Sequence, residues 1–195
     1  MSSSSSSPSA EPELSRLANL LGAWSLAVSD RIAAGAEAAA GRGGQAPAAL
    51  VALDQFAEGS TIERLRDVLG LTHSATVRLV NALVADGHAV RRRRRGDGRA
   101  VAINLTPSGR AAARRIGRAR RAAVQDVLGG LTEAQRRALT TMAERLTAEE
   151  TALRLKERAL GTRPAGGWLC RMCDFAACGR PDGRCPAARR ATYVA

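Results

Sequence analysis

All four cysteines of the 195-residue chain, Cys170, Cys173, Cys178 and Cys185, fall in the stretch WLCRMCDFAACGRPDGRCP. Their spacing is C-x2-C-x4-C-x6-C. A C-x-x-C pair can bring two thiolates onto one metal ion through a tight turn, and Gly179, Pro181, Gly183 and Pro186 let the chain fold the other two thiols around it. Zinc would take the four thiolates as a closed tetrahedral structural site. An iron–sulfur cluster would take the same ligands, and the spacing does not choose between them. A labile disulfide, idle thiols or a redox dithiol at CRMC are the remaining readings. Trp168, Leu169, Met172 and Phe175 supply only a small apolar shell, so the loop is expected to need its ion in order to fold. Arg171, Arg180 and Arg184 are placed to balance the net negative charge of a tetrathiolate site.

The second chemical feature is positive charge. Net charge is −3 over residues 1–60, +10 over 61–130 and +5 over 131–195, for a total of +12. A basic middle third of this density points to an anionic partner, most commonly nucleic acid. It includes the run Arg91–Arg95, followed by Arg99. The two histidines, His73 and His88, both lie in this segment. No Ser/His/Asp triad or His-based acid/base pair can therefore be assembled, and the chain is read as a non-enzyme. The alternative is a metal- or thiol-dependent redox enzyme using the CxxC pair, with the basic region as a non-specific surface for an anionic partner. The start of the sequence, MSSSSSSPSAEPE, has neither the basic nor the apolar region of a signal peptide. No apolar run approaches membrane-span length. A cytoplasmic protein with reduced thiols and no membrane partner is expected.

These residues have to be positioned by helices. Leu14, Leu17, Leu21, Trp24, Val28 and Ile32 recur at spacings of three and four, the stripe of one long helix that ends at GRGGQAP. Pro47 suits the first turn of a second helix bearing Leu50, Leu53 and Phe56. Ser60 followed by Glu63 reads as a capping box opening a helix that buries Ile62, Leu65 and Leu69. Gly70 ends that helix, and after Leu71, Thr72 and His73 another runs from about Ser74 to Asp86 with Leu79, Val80, Leu83 and Val84 inward and Gly87 beyond its end. Two short helices around a tight turn form a helix-turn-helix, and HAVRRRRRGDGRAVAINL then reads as strand, turn and strand. Thr106 and Pro107 open a helix running to Leu128. Thr132 with Gln135 caps a last long one carrying Leu139, Met142, Leu146, Leu153 and Leu160.

That order of elements, with TIERLRDVLGLTHSATVRLVNALVADG, the wing signal DGR at 97–99 and LTPSGR at 105–110, resembles the MarR family of bacterial winged-helix transcription regulators. The resemblance covers residues 14–160. It implies a homodimer in which the first and last long helices of each subunit interlock, bound to successive turns of a pseudopalindromic double-stranded DNA operator. It also implies that Arg99 in the wing reaches the minor groove. Position 77 departs from the family pattern, since Val77 stands where a small polar residue often precedes the arginine.

The fold expected is mainly α with a small β-hairpin wing, a winged helix-turn-helix between long dimerisation helices. Residues 1–12 read as a disordered tail and 13–160 as the winged domain, with the helix-turn-helix at 60–87 and the wing at 88–105. Residues 161–195 read as the four-cysteine tail. The candidate DNA contacts are His73, Ser74, Val77, Arg78 and Asn81 on the recognition helix and Arg93, Arg95 and Arg99 in the wing. Alternation along a strand turns about half of the arginine run toward phosphates. The sequence leaves open whether Val77 meets a thymine methyl or the core. A small-molecule or redox effector, the latter acting through the four cysteines, completes the expected partners.

Overall fold

The computed structural model describes residues 10–94, 97–162 and 166–192, with only the backbone described at 10, 94 and 97–100. The described elements are α1 (Ala10–Ala40), α2 (Ala46–Gln55), α3 (Ile62–Leu69), α4 (His73–Ala85), strands β1 (Ala89–Arg94) and β2 (Asp97–Leu105), α5 (Pro107–Leu128), α6 (Glu133–Ala159) and α7 (Pro186–Thr192). A 3-10 turn, Leu169–Met172, precedes α7. This is the mainly helical architecture with one antiparallel hairpin that the sequence predicts.

Helix α2 is its centre. Residues Ala46 to Leu53 are all buried, which explains why its apolar residues run continuously rather than along one stripe. Around Leu50 and Leu53 pack Leu65, Val68 and Leu69 of α3, Val80 and Leu83 of α4, Ile103 of β2 and Ile116 of α5, each at most 1% exposed. Burial of each such side chain stabilises the fold by about 1.5–3 kcal/mol relative to exposure.

Threonine supplies the N-cap of four helices. Thr61, Thr72, Thr106 and Thr132 accept the backbone N–H of Arg64, Ala75, Gly109 and Gln135 at 3.0–3.3 Å, each worth about 1 kcal/mol. The capping box at Thr132 and Gln135 forms as predicted. The one predicted at Ser60 and Glu63 does not. The cap falls one residue later because the backbone of Ser60 is already engaged: Ser60 O accepts from Ile103 N at 2.9 Å, and Gly59 N donates to Ile103 O at 3.0 Å. This pairing fastens β2 to the entrance of α3. Glu63, freed from capping, meets Arg66 and His73 instead.

The register of the hairpin runs Ala89↔Leu105, Arg91↔Ile103 and Arg93↔Val101. Gly96 and Arg95 lie outside the described residues, as do the side chains of Asp97 and Arg99.

Two expectations about the ends need correction. Residues 1–9 lie outside the described residues, but residues 10–12, read as part of a disordered tail, begin α1. Glu11 and Glu13 in the first turn complement the helix dipole, and Pro12 needs no N–H there. The second correction concerns the tail, whose apolar residues are expected to form the shell of their own ion-nucleated loop. Trp168 and Met172 instead pack against the main core, and Trp168 N donates to Val68 O at 2.8 Å. The apolar stripe of α1 also divides. Val28 is buried and Ile32 half-buried, whereas Leu14, Leu17, Leu21 and Trp24 remain 40–65% exposed. Along α6, Met142, Leu146, Leu153 and Leu160 are 55–74% exposed.

Candidate nucleic-acid interface and thiol cluster

Helices α3 and α4 meet at a bend of 105°, within the range of a helix-turn-helix. The turn is made by Gly70 with φ +67°, a left-handed value that suits glycine. Inward, α4 buries Thr76, Val80 and Leu83. Its exposed residues include His73, Ser74, Arg78 and Asn81. Four of the five helix residues singled out from sequence therefore share solvent access, and Val77 is half-buried at the margin of that face.

The side chains differ in what holds them. His73 Nδ1 lies 2.7 Å from Glu63 Oε1, so its ring is tethered back to α3. Ser74 Oγ is 3.3 Å from Thr72 Oγ1. Asn81 Oδ1 accepts a 2.6 Å hydrogen bond from a terminal nitrogen of Arg91, which ties the recognition helix to the base of the wing. Arg78 is exposed and pairs with no other described residue, which leaves its guanidinium available for an external acceptor.

On β1, Arg91, Arg92 and Arg93 are all exposed. A two-stranded ribbon has two open faces, so both alternating sets of side chains reach solvent. The wing is anchored at its root. Thr106 N donates to His88 O at 3.0 Å and Thr106 Oγ1 to Gly87 O at 2.7 Å. At this same C-terminal end of α4, Arg42 grips Asp86 through two contacts of 2.6 and 2.9 Å. The hydrogen bond from Arg42 holds the Asp86 carboxyl below its ordinary pKa. Arg110 does the same for Glu58. Because these pKa values are depressed in the folded state, both contacts contribute above the ordinary carboxylate pKa and are lost as pH falls below it, through the depressed folded values.

The four thiols are free and fall into two neighbouring pairs, Cys170 with Cys173 and Cys178 with Cys185; Cys173 Sγ lies 4.0 Å from Leu169 O, and Cys178 Sγ donates to Phe175 O at 3.5 Å. The pairs are close enough to perturb each other's ionisation, and Cys170 responds to both members of the second pair. The hydrogen bond from Cys173, opposed by burial and aided by Arg180, lowers Cys170 to about 7. Cys173 is pushed up by the same hydrogen bond and by burial. Among the described residues, no three or more Cys, His, Asp or Glu side chains are grouped to hold a metal ion.

Of the three arginines expected to balance the thiolates, Arg180 and Arg171 lie within electrostatic reach of them, Arg171 acting with Cys173. A terminal nitrogen of Arg180 lies 3.9 Å from Cys170 Sγ. Arg171 also donates to Trp168 O at 3.0 Å, whereas Arg184 pairs with Asp182 at 2.8 Å. Arg120 of α5, which the sequence reading did not single out, adds its charge at Cys173.

The same reading also missed how the tail is held. Three of the five aromatic residues stack in one column: Phe56 lies 5.9 Å from Trp168 and 5.2 Å from Phe175, with rings within 4° of parallel. Arg64 of α3 caps the column over Trp168 at 4.3 Å, and Arg180 caps the other end over Phe175 at 4.7 Å. Phe175 N donates to Gln55 Oε1 at 3.0 Å, and Asp174 meets Arg121 at 2.5 Å. Gly167, at φ +77°, lies directly on the turn of the helix pair. A Cβ there would sit 2.5 Å from Leu69 C and Val68 O.

The fold and this arrangement define a winged helix-turn-helix protein. Residues 41–100 match a family model described as MarR family. Similar solved structures include the YusO protein from Bacillus subtilis, at 18% identity and a TM-score of 0.61 over 70% of this chain and 96% of that one. Another is the MarR family protein Rv2887 of Mycobacterium tuberculosis in complex with DNA, at 26% identity and a TM-score of 0.54 over 67% of this chain and 96% of that one. Its complex with salicylic acid aligns at 28% identity and a TM-score of 0.52, over 67% and 95% of the two chains. No curated protein matches the sequence. The family match and the structural neighbours together support a MarR-type winged helix. Among the described residues, no single helix is long and apolar enough to cross a membrane.

Proposed function

We propose that the protein is a MarR-family transcriptional regulator that binds double-stranded DNA as a homodimer. The observation that carries this reading is the exposed Arg78 on α4, which has no partner among the described residues, beside a wing whose described arginines all face solvent. An exposed arginine on a recognition helix is the usual donor to guanine in the major groove, while a basic ribbon beside it neutralises phosphates. The DNA complex of Rv2887 supports the same use of the fold. Dimerisation is supported by the exposed leucines of α1 and of α6, since apolar side chains left in water along two long helices favour burial against a partner. A small-molecule effector is supported by the salicylic acid complex of that neighbour.

The test is sedimentation at micromolar concentration together with duplex binding, measured against the chain's own upstream DNA and random duplexes. A dimer that prefers one duplex is expected. A monomer that ignores all duplexes overturns the reading. Within the same assay, changing Arg93 and Arg95 to Ala should flatten the slope of log affinity against log salt by up to about two, since each neutralised phosphate contributes about 0.9. An unchanged slope would assign these guanidiniums to solvent.

A further inference from the structure

We propose that Cys170, Cys173, Cys178 and Cys185 bind one soft metal centre as thiolates, and that its occupancy acts on the helix-turn-helix through the column Arg180–Phe175–Phe56–Trp168–Arg64. The proposal rests on the DNA-binding reading for its regulatory half only.

The chemistry of the site comes from the thiols. Four thiolates in one loop select zinc, or iron in a sulfide cluster, over harder ions. The two pairs have to close on one centre, because they do not converge without it. The segment between them carries the glycine freedom such a movement uses: Gly183 has φ +67° and no atom within 4 Å of a Cβ position. A tetrathiolate site around a divalent ion keeps a net negative charge, and Arg180 and Arg120 supply positive charge beside it.

The route outward is continuous contact. Arg180 touches Cys170 at one end and the face of Phe175 at the other. Phe175 stacks on Phe56, Phe56 on Trp168, and Trp168 lies under Arg64 of α3. Two residues before the first helical turn of the loop, Gly167 packs backbone to backbone on Gly70, and a Cβ at Gly70 would lie 2.5 Å from Gly167 N. Trp168 N completes the seam on Val68 O. Movement of the first thiol pair therefore reaches, contact by contact, the turn that sets the angle between α3 and α4.

The test uses the full chain purified without oxygen, with metal analysis, visible spectrum and thiol titration. About one zinc per chain in a colourless protein, or iron and sulfide in a brown one, is expected, with the thiols protected from alkylation. Cobalt(II) loading of the zinc form should give intense thiolate-to-metal bands that Cys173→Ser and Cys178→Ser each abolish. Four alkylatable metal-free thiols, or two disulfides without metal, overturn the site.

Coupling is read separately. In a Trp24→Phe background, which leaves Trp168 as the sole indole, metal removal should shift the indole emission. It should also change duplex affinity by on the order of tenfold. Trp168→Ala should keep the metal and lose that dependence. Metal binding with neither an emission shift nor an affinity change overturns the coupling. A chain that takes up metal and shifts its emission yet binds no duplex would instead count against the DNA-binding reading.

Discussion

Gly109→Ala should destabilise the winged domain by about 3 kcal/mol or more, the upper end of what overpacking costs. The glycine of LTPSGR lies in the first turn of α5, where a Cβ would stand 2.0 Å from His88 O, 2.9 Å from His88 C and 3.1 Å from Leu105 Cδ2. The first two are backbone atoms at the root of the wing, so no rotamer change relieves them. Withdrawal of α5 would break the bond from Thr106 N to His88 O and the bond from Thr106 Oγ1 to Gly87 O. Both bonds join the end of the recognition helix to α5. Gly117, two turns further along α5, is the internal control. A Cβ there meets nothing within 4 Å, so Gly117→Ala should stabilise the protein by about 0.5–1 kcal/mol through helix propensity alone. Urea unfolding with an unchanged m-value reads both. Equal midpoints for the Gly109→Ala variant and the parent would show that the contact between α5 and the wing root is looser than described.

What was legible in the sequence was local. Thr132 with Gln135, Gly87 beyond α4, and Thr106 with Pro107 are positioned by bonds within a few residues, and a reader of the chain sees both partners at once. The misplaced cap at Ser60 is the same physics with a competitor hidden. Ser60 and Thr61 are equally able to cap, and what decides between them is a bridge to Ile103 on a strand far along the chain. The stripe on α1 revealed a face but not what covers it, since periodicity is identical whether the cover is α5 or a second chain. The least legible feature was the docking of the tail. Trp168 and Phe175 read as the shell of their own loop, and nothing in their spacing names Phe56 as the ring between them. The glycine pair at 70 and 167 likewise reads as two separate breaks until the backbones are seen in contact.

At the interface itself, Arg78→Ala should weaken binding to the preferred duplex by about 1–3 kcal/mol, roughly five- to 150-fold, and relax the base preference at one position in each half-site. The argument is one of availability. His73 is held by Glu63, Ser74 by Thr72 and Asn81 by Arg91. Contact with a base would cost each of these residues an existing bond. Arg78 has none to give up among the described residues, and its exposure leaves the planar fork free to take a guanine edge. Asn81→Ala provides the contrast. It removes the acceptor of Arg91 and loosens the wing from α4, so its effect should fall on overall affinity and on the salt slope more than on base preference. Binding measured across a set of single-base operator variants separates the two. If Arg78→Ala lowers affinity by the same factor on every variant and on random duplex, the guanidinium serves a phosphate, and base reading passes to the residues that first have to release their partners.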